Sequence, residues 1–196
     1  KALQSDDEEA LLDALSLRLG ASDNGTGHPD GFSKYYGVEG KQVSQFVLDG
    51  RRLLRQQYQQ AYSGGANRST LFPVTLPAMA QFRTTRRIDG LDSLLDGQNN
   101  LPRPTSVGLT GDWRKPGPVW EIPYGSLVPS GVDGVLAAGR CIDARGDAWQ
   151  VMRVIPSAAL TGQLSGIAAG LALSSDSMPH QLPITGLQTE LQRRGI

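Results

Sequence analysis

A mixed α/β chain is predicted by three features of the sequence. Segments 5–20 and 40–62 repeat apolar residues at helical spacing, whereas 79–90 and 119–124 alternate as strands do. Residues 132–173 then read as a short buried strand, a loop and a helix built mostly of small residues. The order suggests four regions: a helical region with a loop over 1–78, a β-sheet region over 79–130, a strand–loop–helix unit over 131–175 and a tail helix over 176–196.

The 196 residues suffice for one large domain or two small ones. Lysine plus arginine and aspartate plus glutamate both number 19, so the formal net charge is zero. Without a global basic field, non-specific nucleic-acid binding is excluded as the main role, although arginines cluster at Arg51-Arg52, Arg83/Arg86/Arg87 and Arg193-Arg194. A single cysteine rules out an internal disulfide and a cysteine-built metal site, and His28 and His180 lack spaced partners for a zinc motif. The lone cysteine tilts localisation toward the cytoplasm. Lys1 is not an initiator methionine, so a preceding natural segment is expected.

In chain order, Ser5 and Glu8 fit a capping box, and Leu11, Leu12, Leu15 and Leu19 share one face of a first helix that Gly20 can end. Residues 21–40 are a loop, with Phe32, Tyr35 and Tyr36 expected to pin it. The helix over 40–62 puts Val43, Phe46, Val47, Leu54, Tyr58 and Tyr62 on one face, with close packing expected at Gly50. Over 79–90, Phe82, Thr84, Arg86 and Ile88 alternate with Gln81, Arg83, Thr85 and Arg87. These arginines are either solvated or aimed at an anion. Residues 96–118 read as a long excursion, 119–124 as a strand near a sheet edge, and 135–138 as the core strand, ending at Gly139-Arg140. The tail carries one amphipathic helix around Leu187 and Leu191.

From Val154 to Leu173 no residue is charged, and Gly162, Gly166 and Gly170 stand four apart. The length suits a membrane span and the spacing suits a membrane helix dimer, but three glycines, Pro156, Ser157, Thr161, Gln163 and Ser165 make the run weakly apolar. No membrane span is expected. The stripped face implies a close neighbour, either another backbone element or a ligand. The helix can begin at Pro156 or at Thr161, and its free N-terminal amides would favour an anion.

Five blocks in order carry a resemblance: Phe82–Gly90, Ile122–Pro129, Leu136–Ile142, Arg153–Pro156 and Thr161–Ala169. Together they resemble the C-terminal half of FAD-dependent oxidoreductases of the glutathione-reductase-like FAD-binding fold, in particular the bacterial FAD-dependent oxidoreductase family. The resemblance implies FAD as cofactor, a small-molecule substrate and hydride transfer to the flavin. It makes 131–175 the completing part of a Rossmann-like FAD/NAD(P)-binding domain, and 1–78 and 79–130 parts of a substrate-side domain. It implies that Ala138, Gly139 and Arg140 approach the ribityl–pyrophosphate region. The amides near Leu160, Thr161, Gly162 and Gln163 would face the flavin's pyrimidine edge, with Arg140 and Arg153 near the same anion. Arg83, Arg86 and Asp143 would lie on the substrate side; no catalytic residue and no metal ligand is singled out.

One departure is large: no GxGxxG, the fingerprint of the ADP-binding unit, occurs in these residues. The chain is therefore expected to be incomplete alone and to have a dinucleotide-binding part as its partner, in the same protein or a separate chain. The alternative is a structural or interaction subunit that keeps the fold without the cofactor. Cys141 is expected to be a buried small hydrophobe, with a covalent flavin link or redox thiol as the other reading. Asp143, Arg145 and Asp147 are expected to form loop ion pairs, and Trp149 to pack in the core or over the site.

Overall fold

The structure is a computed structural model that describes residues 35, 37–73, 80 and 82–196. The expected helix over 5–20, and Phe32 and Tyr36, lie outside the described residues. The chain forms two compact units, 1–85 and 86–196, with α/β content.

The first unit is built on α1 (Gly40–Ser63). Its apolar residues recur every three or four positions, and the half-buried stripe runs through Val43, Phe46, Val47, Leu54, Tyr58 and Tyr62, as the sequence suggests. Phe46 meets Tyr35 edge-to-face and Phe82 at a tilt, with ring centroids 5.6 and 4.8 Å away. Gly37, at φ +67°, lets the chain pass Phe82, whose ring would lie 2.4 Å from a Cβ there. Tyr35 pins its segment by donating to buried Asp49, which also accepts from Gln45 Nε2 at 2.9 Å and pairs with Arg52 at 3.2 Å. The bond from Tyr35, then that from Gln45, holds the Asp49 carboxyl below its ordinary range. The close packing expected at Gly50 is absent: a Cβ there would meet nothing within 4 Å among the described residues.

In the second unit β1 (Ser106–Gly111) and β2 (Val119–Pro123) form an antiparallel hairpin with an irregularity between Ser106 and Gly108. The β2 strand was legible. The β1 strand falls inside what the sequence presents as an excursion, because Gly108 and Gly111 interrupt its pattern and Pro102 and Pro104 precede it. Beyond the hairpin come α2 (Gly146–Met152), α3 (Ile155–Ser174) and α4 (Ile184–Arg193). The core collects Leu94, Trp120, Ile122, Leu127, Ile142, Met152, Leu164 and Leu187, each at most 2 % exposed.

Two expected strands do not form ladders. Residues 82–89 are irregular, and only Gly90 makes an isolated bridge, to Pro129. Residues 135–138 take no regular structure, Val135 is 46 % exposed, and the segment's backbone contact is the Ala137 N–H to the Leu127 carbonyl. A strand needs a hydrogen-bonded neighbour along its length; in the first segment backbone bonds are confined to its end, from Ile88 to Cys141 and from Ser130 to Asp89, and in the second to Ala137.

A buried carboxylate ties the irregular segments together instead. Asp143, with its side chain 1 % exposed, accepts from Arg87 Nη1 at 2.6 Å, the Gly90 N–H at 3.0 Å and Ser93 Oγ at 2.9 Å, with Arg145 Nε at 3.4 Å. Its own backbone bonds to Ser126 and Leu94. Leu94 also pairs in parallel with Ala144. Asp143 is thus an interior hub.

The α2 helix occupies residues read from the sequence as loop. Gly146 starts it at φ +52°, and Asp96 receives the N–H groups of Asp147 and of Ala148, the latter at 3.2 Å. A carboxylate at a helix N-terminus is the stabilising arrangement. A Cβ at Gly146 would lie 2.0 Å from Asp96 Oδ2 and displace that carboxylate, and the positive φ favours glycine as well. The tail helix α4 ends in a Schellman motif: Gly195, at φ +75°, donates to Gln192 and Ile196 donates to Leu191, both at 3.0 Å.

No single helix among the described residues is long and apolar enough to cross a membrane, and α2 meets α3 at 84°. The buried face of α3 is Ser157, Thr161, Leu164, Ala168 and Ala172. Gly162, Gly166 and Gly170 are exposed, and a Cβ at any of them would meet nothing within 4 Å. The close neighbour expected for that face is not among the described residues.

Replacing Asp143 by alanine strands the Arg87 guanidinium and the Gly90 N–H, and should cost about 3 kcal/mol, because Arg87 is partly exposed and the loss falls at the low end for a broken buried pair. Urea unfolding of the variant at neutral pH checks this. Burial acts to raise the Asp143 carboxyl, but Gly90, Arg145, Ser93 and the Arg87 charge together hold it below its ordinary value of 3.8. Its contribution is therefore complete above that value and lost as pH falls through the lower folded value, so the wild-type advantage over Asp143→Ala should shrink only in that acid range.

Candidate functional site

The candidate site forms where the turn Gly139–Cys141 rests on the start of α3. Gly139 is buried and takes φ +75°, a conformation that side chains other than glycine's rarely adopt. Its N–H donates to Thr161 Oγ1 at 2.8 Å, and Thr161 Oγ1 donates to the Ser157 carbonyl at 2.8 Å. A Cβ built on Gly139 would stand 3.6 Å from Ala158 Cβ, an ordinary contact. The turn is therefore bolted to the first two turns of α3. Ser165 Oγ reinforces the approach by donating to the Ala137 carbonyl at 3.3 Å.

A second hydroxyl pair, one turn away on the same buried face of α3, ties the helix to β1. Ser157 Oγ lies 2.7 Å from Thr110 Oγ1 on β1 and 3.3 Å from the Val151 carbonyl on α2. Both Ser157 and Thr161 are buried, so their hydroxyls act as internal struts.

The helix begins at Ile155 with Pro156 in its first turn, which settles the choice between Pro156 and Thr161 as its start. The N–H groups lacking an intrahelical acceptor are, by position, those of Ile155 and Ser157, since Pro156 has none and Ala158 already bonds the Val154 carbonyl. No side chain caps this end, and Ile155 is 85 % exposed. The amides of Leu160, Thr161, Gly162 and Gln163 lie a turn further in, where intrahelical bonds occupy them.

The side chains of that set diverge. Thr161 turns toward Gly139, and Gly162 and Gln163 are exposed. Leu160 lies over Gly108, whose Cβ would be 3.0 Å from Leu160 Cδ2. Leu160 and Gln163 also line a groove of about 660 Å³ with Leu109, Gln188, Gln192 and Ile196, and among the described residues no acidic or basic side chain lines it.

Of the two arginines expected near the anion, α2 braces the backbone of Arg140 and the side chain of Arg153. Arg140 is exposed, and its carbonyl accepts Trp149 Nε1–H at 2.8 Å, so half-buried Trp149 braces the turn. Arg153 follows α2 directly; its Nε donates to Gln150 Oε1 at 2.6 Å and its guanidinium carbon lies 5.9 Å from the centre of the Trp113 ring. Ala138 precedes the turn in extended conformation, and its carbonyl accepts the Cys141 thiol at 3.4 Å. Cys141 is exposed, which overturns its expected burial. Arg83 is half-buried in the first unit and Arg86 is exposed in the second, neither on a ladder. No group of three or more metal-ligating side chains occurs among the described residues.

Trp113, Gln150 and Asp96 were not singled out from the sequence. The only available signal was Trp113 itself, an aromatic residue amid the polar loop Gly111–Pro118. That loop is fastened to α2: Arg114 bonds Asp112 Oδ1 at 2.8 Å and Asp147 Oδ1 at 2.6 Å. Bonds from Arg114 hold both carboxyls below the usual aspartate range. The expected pairing of Asp147 is thus present, on a helix.

The glycine turn thus rests on a helix whose N-terminus no side chain caps, an arrangement that favours negative charge. Residues 30–191 match the sequence profile of the family described as FAD dependent oxidoreductase. The match spans most of the chain, and the chain belongs to that family. No curated protein and no solved structure matches it.

Thr161→Val leaves the buried Gly139 N–H without an acceptor and should destabilise the second unit by about 1–3 kcal/mol. Thr161→Ser, which keeps the hydroxyl, should restore most of that loss in the same chemical denaturation.

Proposed function

We propose that this chain supplies the flavin-ring side of an FAD pocket in an oxidoreductase acting on a small molecule. The carrying observation is the Gly139–Thr161 bond, which fixes the turn Ala138-Gly139-Arg140 to the uncapped start of α3. Family membership supports the cofactor. When bound, FAD supplies the acceptor for a hydride leaving the substrate.

The residues present fit such a group. Gly139 keeps backbone, not side chain, at the turn, and the N–H groups of Ile155 and Ser157 are left without intrahelical partners at the positive end of the α3 dipole. Arg153 and Arg140 would add positive charge toward the anion that reduction places at the ring's pyrimidine edge. In this reading Thr161 acts through Gly139. The amide role first expected for Leu160, Thr161, Gly162 and Gln163 moves one turn back, to Ile155 and Ser157. Arg83 and Arg86 remain proposed substrate-side groups, whereas Asp143 serves the scaffold. The ADP half of FAD would be held by a dinucleotide-binding part of Rossmann type, which would also pack on the exposed Gly162, Gly166 and Gly170. The regional division at 78, 130 and 175 belongs to the same proposal.

The full natural protein should purify with the visible absorbance of oxidised flavin, or take up added FAD. Arg153→Met should weaken FAD by roughly 10–100-fold, the loss expected of a charge-assisted contact. A full-length protein with no flavin absorbance and no affinity for added FAD would return the chain to the reading of a cofactor-free structural subunit.

A further inference from the structure

We infer that Trp113 is a positioning residue for Arg153: the loop between β1 and β2 reaches across α2 to set where the Arg153 guanidinium stands. The inference rests on the reading that Arg153 faces the flavin anion. Trp113 is 56 % exposed, unusual for the largest apolar side chain, yet it is not loose. Its indole Nε1–H donates to the Gln150 carbonyl at 3.2 Å, which fixes the plane of the ring. The Arg153 guanidinium carbon lies 5.9 Å from the centre of that ring, within cation–π range. Gln150 contributes twice, since its carbonyl holds Trp113 and its Oε1 accepts from Arg153 Nε at 2.6 Å. The base of the loop is immobilised independently, by Arg114 bound to both Asp112 and Asp147 and by the Asp112 N–H on the Pro118 carbonyl at 3.0 Å.

The chemistry explains why such a bracket is needed. Arginine loses much rotamer freedom when ordered, and a guanidinium free to sweep solvent contributes little to a bound anion. Binding Nε to Gln150 and resting the plane near an aromatic face removes that freedom beforehand, while the charge is retained. Arg153 sits at the C-terminal cap of α2, immediately before α3, so the bracket holds a cation beside the start of the helix.

The test is a double-mutant cycle in the full-length protein, with Trp113→Leu, Arg153→Met and the pair together. FAD affinity is read by titrating apoprotein with FAD, and the flavin midpoint potential by equilibrium reduction. Trp113→Leu alone should weaken FAD by about threefold to tenfold and lower the midpoint potential in the same direction as Arg153→Met. In the Arg153→Met background it should change neither. Trp113→Phe, which keeps an aromatic face but not the N–H, should retain most of the affinity and guards against a folding defect. Equal weakening by Trp113→Leu with and without Arg153 would overturn the inference, as would wild-type affinity in Trp113→Leu when Arg153→Met binds poorly. Wild-type affinity and potential in Arg153→Met would instead sink the flavin-facing assignment of Arg153, and the positioning role with it, while flavin binding itself stood.

Discussion

The second unit depends on one buried carboxylate. It has only a two-stranded sheet, so ladder bonds cannot organise the segments 87–94, 125–129 and 141–145. Those segments carry backbone groups that must be satisfied wherever they are buried. Asp143 meets part of that demand from the centre, taking one N–H, one hydroxyl and one arginine at short range. A buried charge is costly unless every lone pair is engaged, and here the engagement is dense enough to hold the carboxyl ionised against the effect of burial. Gly90 follows from the same constraint, since a Cβ there would meet the Gly125 carbonyl oxygen at 2.7 Å and Asp143 Cβ at 3.0 Å.

From that hub the chain runs into the candidate site within a few residues on either side. Residues 139–142 precede Asp143, and α2 follows it after Ala144-Arg145. The hub therefore anchors the span that carries Arg140, Trp149, Gln150 and Arg153 at a point between the turn and α2. The hydroxyls of Ser157 and Thr161 then lock α3 to β1 and to the turn. Each of these struts is a short polar side chain in a buried position with its hydrogen bonds made, a geometry that rewards one arrangement over its neighbours.

The long helices were legible because periodicity needs no partner: Val43 through Tyr62 declares a face whatever lies against it, and Leu187 and Leu191 do the same for the tail. Strands were less so. Alternation over 82–88 and the apolar run 135–138 look like strands in isolation, but a strand exists only with a neighbour, and sequence pattern does not supply one. The reverse error hid β1, whose glycines are explained by packing: Gly108 admits Leu160, a contact more than fifty residues away. At the site, Gly139 and Arg153 stood out because glycine and arginine are chemically marked. Trp113 and Gln150 matter only through the meeting of the β1–β2 loop with α2, and α2 itself is seven residues long and capped by the distant Asp96. Cys141 was misjudged on residue type alone; its exposure follows from the outward turn that Gly139 imposes.

The glycine stripe on α3 turns the same logic outward. Three glycines in a helix interior each cost about 1 kcal/mol relative to alanine. Had they served packing within this unit, a Cβ at one or more would collide, as it would at Gly90 or Gly146. None does, so the buried face of the helix is carried entirely by Ser157, Thr161, Leu164, Ala168 and Ala172. The cost of the stripe is thus not offset by contacts among the described residues. Alanine at these positions would raise helix propensity without disturbing any contact seen here. Close approach of a further backbone is the kind of contact that small residues permit and alanine begins to obstruct. In the proposed function that approach falls to the dinucleotide-binding part, which places the two faces of α3 in different roles. One is held inside by hydroxyls and leucine, and the other is kept bare for a neighbour that must come close.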